Sequence, residues 1–202
     1  MNQFTEIERS IYNEFKEIMK FFFLKIVPCK DYLSEEKQNS DIFLFPKYKY
    51  LINTTIKKYN ESHQENKAYI FESFRSNKRQ FQVWQSGSSQ IKKEGMHLFC
   101  IATDIVGYEN NKINWNLNYE ALHNIASNYG LAITLPNDAC HFQFISFNDQ
   151  NILRTLYHDI TKLIQSEYNL KIDGDTGKKT QEAILINFIK FPILLNNILF
   201  KL

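Results

Sequence analysis

Three things are scarce or missing in this 202-residue chain, and each absence removes a class of function. Cysteine is the first: Cys29, Cys100 and Cys140 are an odd number with no CxxC spacing, so no disulfide framework is expected and the thiols read as free, packed groups. A charge excess of one sign is the second. Lys+Arg number 24 against 22 Asp+Glu, interspersed, which leaves no electrostatic footprint for a nucleic-acid binder. Long apolar runs are the third. Phe21-Phe22-Phe23-Leu24 is too short to span a bilayer, and so is the interrupted C-terminal tail, so no membrane span is expected. Nor is a secretory signal expected: Asn2, Glu6 and Glu8 stand where a basic segment leading into an apolar one belongs. The chain shows no internal repeat and no low-complexity segment. What remains, 44% hydrophobic and 23% charged, is the composition of an ordinary soluble protein with a real core and one or two domains.

The hydrophobic pattern divides that length. Residues 5–24 read as a helix, with Thr5 and Glu8 as a capping box and Ile11, Phe15, Ile18 and Phe22 at helical spacing. An irregular segment covers 31–45, and Pro46 opens a second helix to about Tyr59. Ala68–Phe74 then reads as a strand, Ser76 as the cap of a helix ending near Gly87, and Cys100–Val106 as another strand. Residues 119–129 form a helix terminated by Gly130. Leu131–Leu135 and Phe142–Phe147 read as strands flanking a Pro-Asn-Asp turn. From 150 the chain is helical again: 150–167, a Gly-containing turn at 173–177, then 178–190 until Pro192 breaks it before an apolar tail. The expected class is α+β, with a small antiparallel sheet and flanking helices, plus a small all-helical C-terminal module. The expected division is 1–62 (helical, packed on the catalytic part), 63–148 (core) and 149–202 (module).

Two clusters carry chemistry: His97-Leu-Phe-Cys-Ile-Ala-Thr-Asp104 and Asp138-Ala-Cys-His141. Zinc accepts imidazole nitrogen and carboxylate oxygen, and a catalytic site uses three protein ligands and keeps one position for water. Asp138, three residues before His141, is close enough to take a proton from that water and return it to a departing amine. Geometry sets a condition. Residues seven apart on a straight strand would be separated by about 23 Å and face opposite ways, so the chain must curl between 97 and 104. His97 then belongs in a turn entering the strand, Asp104 on that strand, and His141 on a neighbour. A His and an Asp at this spacing, and a lone DxxH, are both common by chance, so spacing alone leaves a metal site and ordinary core residues open. His63, His123 and His158 lack a comparable partner pattern and read as solvated or structural.

Upstream stands Glu72-Ser-Phe-Arg75-Ser76-Asn-Lys-Arg-Gln80, at the end of a strand and the start of a helix. In order, the Arg75-Ser76…Gln80 segment, the His97…Asp104 pair and the Asp138…His141-Phe142 pair resemble the VanY-like D-Ala-D-Ala carboxypeptidases and L-Ala-D-Glu endolysins of the M15 metallopeptidase family. That family's pattern is R-S-x-x-x-Q, then H-x-x-G-x-A-x-D, then D-x-x-H-F, and the match covers roughly residues 68–147. The resemblance implies that His97, Asp104 and His141 hold Zn2+, that Asp138 is the general acid/base, and that Arg75 stabilises the oxyanion. It places Ser76 and Gln80 at the substrate, although Ser76 is also explained as an N-cap and Gln80 as a support of the helix. The sequence departs from the pattern at two positions. Cys100 replaces the family glycine, which a cysteine can do if φ is negative there, and Gly95 replaces a serine, which puts substrate preference in doubt.

The tail carries a second resemblance. Leu163-Ile-Gln165…Asp173-Gly174-Asp-Thr-Gly177-Lys-Lys-Thr180-Gln-Glu-Ala183 is similar to the helical peptidoglycan-binding domain of many cell-wall hydrolases. Gly177-Lys-Lys-Thr180 is not a P-loop, since the first glycine is missing, and Asp173 and Asp175 fall short of an EF-hand. The two resemblances together imply a monomeric zinc peptidase of peptidoglycan stem peptides, cutting L-Ala–D-Glu first and D-Ala–D-Ala as the alternative. A non-catalytic wall-binding protein is the contrasting class, and the retained ligands and base argue against it. Made in the cytoplasm without a signal, such an enzyme would act at the bacterial wall after release or delivery, with a holin, a secretion system or an immunity protein as its partner.

Overall fold

A computed structural model describes residues 6–109, 112–132 and 138–202. The α+β reading holds: among the described residues, seven α-helices accompany a four-stranded antiparallel sheet. The helices are α1 (Glu6–Phe21), α2 (Pro46–Ser62), α3 (Asn77–Gln85), α4 (Tyr119–Asn128), α5 (Gln150–Glu167), α6 (Lys178–Ile186) and α7 (Phe191–Lys201). The strands are β1 (Ala68–Glu72), β2 (Ala102–Glu109), β3 (Lys112–Asn114) and β4 (His141–Gln143). The chain divides into two compact units, residues 34–150 and residues 1–33 with 151–202. Helix α2 thus falls in the unit of the sheet, and α1 in the unit of the C-terminal helices.

In the 34–150 unit, β2 lies between β1 and β3, and its first residues also pair with β4. Pro46 starts α2 with a φ already suited to the first turn. Tyr48, Ile52, Thr55 and Tyr59 then recur at helical spacing and are buried, and the first, second and fourth of them meet Ala68, Ile105 and Phe142 in one core. Alternation along β2 puts Thr103 and Ile105 on this helix-covered side and leaves Asp104 on the other. Tyr48 ties the arrangement together: its hydroxyl lies 2.8 Å from both Thr103 Oγ1 and Phe142 O. A phenol has one proton, so it donates to the Phe142 carbonyl and accepts from Thr103. One buried hydroxyl thus fixes β2 against β4 at the residues that flank Asp104 and His141.

The other unit packs α1 with α5, α6 and α7. Ile18, Met19, Phe22 and Phe23 are buried at the end of α1 and in the π-helical turn Phe22–Ile26 that follows, and both phenylalanine rings pack on Tyr157. Gln165 anchors the turn at 173–177: its Oε1 accepts from the amides of Asp173 and Gly174, both at 3.0 Å, while its Nε2 donates to Asp173 Oδ1 at 2.8 Å. Gly174 has φ +79°, which favours glycine, and a Cβ there would lie 3.1 Å from His158 Nδ1, a tight contact.

Several local expectations shift. The tail is helical: Pro192 occupies the first turn of α7 instead of merely ending a helix, and α6 stops at Ile186. The strand expected over 142–147 is only His141–Gln143, because the chain bends at Phe144, whose amide reaches Ile101 O. Thr5, and residues 133–137 of the expected strand and turn, lie outside the described residues. Strand β3 was not foreseen; three residues without alternating pattern give no strand signal.

Candidate active site

The curl required between residues 97 and 104 is a tight turn at 96–100. It closes through Leu98 N to Gly95 O, Cys100 N to His97 O and Ile101 N to Met96 O. Cys100 there has φ +62°, opposite to the sign under which a cysteine replaces glycine without strain. It is held in the left-handed region at a cost of about 1–2 kcal/mol, offset by complete burial of its side chain. The turn delivers His97, buried, to the side of β2 that carries Asp104, and Asp104 is the register partner of His141 on β4.

Three donor atoms consequently converge. His97 Nε2 lies 3.2 Å from Asp104 Oδ1 and 3.2 Å from His141 Nδ1, and the last two are 3.1 Å apart. A tetrahedral ion with bonds of about 2.0–2.1 Å would hold its ligand atoms about 3.3 Å from one another, so this triangle has the size of one tetrahedral face. The protonation pattern points the same way. Gln143 Nε2 donates to Ile145 O at 2.6 Å, so its Oε1 faces His141 Nε2 at 3.3 Å and must accept from it. Neutral His141 then carries its proton on Nε2 and aims the Nδ1 lone pair at a carboxylate oxygen, a repulsive contact unless a cation or proton sits between them. His97 Nδ1 is buried with no hydrogen-bond partner among the described residues, which leaves all of that ring's polar contacts on the Nε2 side. The three residues can hold a metal ion.

Electrostatics follow from the same contacts. Burial raises the Asp104 carboxyl pKa, but His97 and His141 more than offset it and hold it well below the usual range. Burial also dominates at His97 and pushes it down. At His141 burial is outweighed by the hydrogen bond and charge of Asp104, with Asp138 and Gln143 adding to them, and the pKa is raised.

Behind Asp104 stands a buried ionic cluster. Arg75 Nη2 donates to Asp104 Oδ2 at 2.7 Å and to Glu72 Oε2 at 2.5 Å, Nε donates to Glu72 Oε2 at 2.9 Å, and Nη1 donates to Gln80 Oε1 at 3.2 Å. These contacts use four of the five guanidinium N–H donors. Glu72 also accepts from Arg79 Nε at 3.1 Å, which commits its second oxygen. Glu72→Gln removes the counter-charge from a buried arginine. We expect a loss of about 3 kcal/mol in unfolding free energy, checked by denaturant titration followed by circular dichroism.

Ser76 and Gln80 are buried, with their polar atoms engaged inside the protein. Ser76 Oγ accepts from Arg79 N at 3.1 Å as the cap of α3 and donates to Ser34 O. Gln80 Nε2 donates to Ser89 Oγ and Ile91 O, so the whole amide is fixed between Arg75 and the loop after α3. Gly95 belongs to this packing, since a Cβ there would stand 3.0 Å from Gln80 Oε1. Asp138 lies in the turn before β4. Its carbonyl accepts from His141 N at 3.1 Å, and its Oδ1 accepts from the Cys140 thiol at 3.3 Å. None of the three cysteines forms a disulfide, and burial pushes the Cys140 thiol well up, with Asp104 and Asp138 adding to the shift. Of the remaining histidines, His63 stacks on Tyr59, His123 stacks on Phe142 and bonds Ala139 O, and His158 bonds Gly174 O.

Sequence reasoning missed Gln143. Its position two residues after His141, on the same strand face, is the signal that could have found it. The buried Gln150 side chain donates to Gln143 Oε1 at 3.1 Å and completes the clamp. Gln143→Leu is expected to weaken metal affinity by about 10–100-fold, read by chelator competition, with Gln143→Glu retaining most of it because an acceptor remains. Equal affinity in all three proteins would show that Gln143 does not orient the ring.

With this geometry in view, a likeness to a solved structure can be added. The structure is similar to that of the Serratia marcescens L-Ala D-Glu endopeptidase ChiX. The TM-score is 0.42 at 21% sequence identity, covering 57% of this chain and 94% of that one. The overlap concerns backbone shape and says nothing about chemistry. The sequence matches no protein-family model and no curated protein.

Proposed function

We propose that the protein is a zinc-dependent peptidoglycan peptidase that hydrolyses the stem peptide, with the L-Ala–D-Glu bond as the first choice and D-Ala–D-Ala as the alternative. The observation that carries the reading is the triangle of His97 Nε2, Asp104 Oδ1 and His141 Nδ1, with sides of 3.1–3.2 Å. Two imidazoles and a carboxylate at that spacing suit zinc better than the harder, all-oxygen cations. The choice of substrate rests on the R-S-x-x-x-Q, H…D and D-x-x-H-F motifs.

When bound, zinc supplies a Lewis acid that polarises the scissile carbonyl and makes water nucleophilic at neutral pH. The chain does the rest. Gln143 holds the His141 tautomer, and Arg75 occupies Asp104 Oδ2, so that Oδ1 is the oxygen presented to the centre. Among the described residues Arg75 has one N–H beyond its four contacts, which in this reading it offers to the negative oxygen of the transition state. Asp138 takes the proton of the attacking water on its carboxylate and returns it to the leaving amine. Residues 149–202, with the turn anchored by Gln165, serve in this reading as a module that holds the wall polymer. The enzyme acts at the wall after release or delivery. Mass spectrometry of purified peptidoglycan digested with the protein tests the proposal. New L-Ala carboxyl and D-Glu amino ends are expected, while loss of terminal D-Ala alone would favour the carboxypeptidase. Unchanged fragments from the metal-loaded protein would refute both.

A further inference from the structure

We infer that the bent pair α6–α7 is a docking surface for an anionic lipid bilayer, a property that uses no residue of the candidate active site. The turn between these helices carries an apolar surface that is far from buried: Ile186 is 83% exposed, Ile189 91%, Ile193 66% and Phe188 53%. On α7 the exposed Asn196 and Asn197 follow Ile193, so the apolar surface is that of the turn and the start of α7, with Phe200, 91% exposed, standing apart. Isolated exposed hydrophobics need no explanation, but Ile186, Phe188, Ile189 and Ile193 exposed together at one turn do.

The composition decides between occupants. Protein interfaces are enriched in Tyr, Trp and Arg and depleted in Lys. Residues 178–202 contain no Tyr, Trp, Arg or Asp, yet carry Lys178, Lys179, Lys190 and Lys201 against a single acid, Glu182. That acid lies 3.8 Å from Lys178, which leaves three further lysines beside the apolar residues. Aliphatic and phenylalanine side chains flanked by lysines match a segment that buries its apolar face at the acyl boundary while ammonium groups meet anionic headgroups. The geometry suits lying on a membrane, not crossing it. The two helices meet at a bend of 116°, and among the described residues no single helix is long and apolar enough to span.

Flotation of the full chain with vesicles tests this. Binding is expected to phosphatidylglycerol-containing vesicles, weaker at high salt and much weaker to pure phosphatidylcholine. Ile186→Asp with Ile189→Asp, and separately Lys179→Glu with Lys190→Glu, should each reduce binding at least about tenfold. Both pairs are exposed, so unchanged thermal melting shows that the fold is intact. No flotation with anionic vesicles would overturn the inference. So would loss in the lysine pair alone, which would mean mere electrostatic adsorption. A concentration-dependent dimer abolished by the isoleucine pair would assign the surface to a second copy and would equally overturn it. Peptidase activity enters none of these readouts, so their failure leaves the proposed reaction standing.

Discussion

His97→Ala is expected to lose the metal and the hydrolysis of muropeptides together. The wild type should hold about one zinc per chain, because one triangle of donors supplies the three protein ligands of a catalytic site. Removing His97 deletes one corner of the triangle, whose Nε2 lies 3.2 Å from each of the other two donors. What remains is Asp104, already shared with Arg75, and His141, and two ligands do not compete with buffer for zinc. Activity should fall by at least about three orders of magnitude, since several kcal/mol of Lewis-acid stabilisation depart with the ion. His97 is also buried, so the variant loses packing, and a melting curve must accompany the elemental analysis. A folded variant with unchanged zinc content would place the metal elsewhere and remove the basis for the proposed reaction.

The parts of this site that could be read from the sequence are those governed by chain geometry. Seven positions from His97 to Asp104 rule out a straight strand if both side chains are to meet, and the turn at 96–100 is how the chain obeys. Ser76 as a cap and Pro46 as a helix start follow from local chemistry, and α3 and α2 begin where those residues place them. What local pattern could not supply is pairing. The Asp104–His141 register depends on a three-residue strand with no periodicity of its own, fixed instead by Tyr48 from a helix some ninety residues away. Three positions before Arg75, Glu72 is an acid to which the local sequence gives no partner. Only tertiary structure shows both its oxygens taken by Arg75 and Arg79, which removes it as a rival to Asp138. The positive φ at Cys100 was misjudged for a related reason: a turn that must reverse sharply over five residues sets the dihedral, and the side chain tolerates it because burial offsets the strain.

Asp138→Asn separates binding from chemistry. Asp138 is not among the three converging donors, yet its charge contributes to the raised pKa of His141, and its carbonyl closes the turn that leads into β4. Asparagine preserves that turn and the size of the side chain, and its amide oxygen can still accept from the Cys140 thiol. It cannot take a proton from water. General acid–base catalysis by one side chain is worth ~10²–10⁴-fold, so the variant should keep full zinc occupancy and lose at least about two orders of magnitude in turnover. Zinc content and muropeptide turnover must be measured on the same preparation. Turnover near the wild-type rate would mean that another group moves the proton, and with Glu72 locked in its ionic cluster the search would turn to Glu94. Loss of zinc together with the rate would make Asp138 a ligand, and the division between holding the ion and moving the proton would fail.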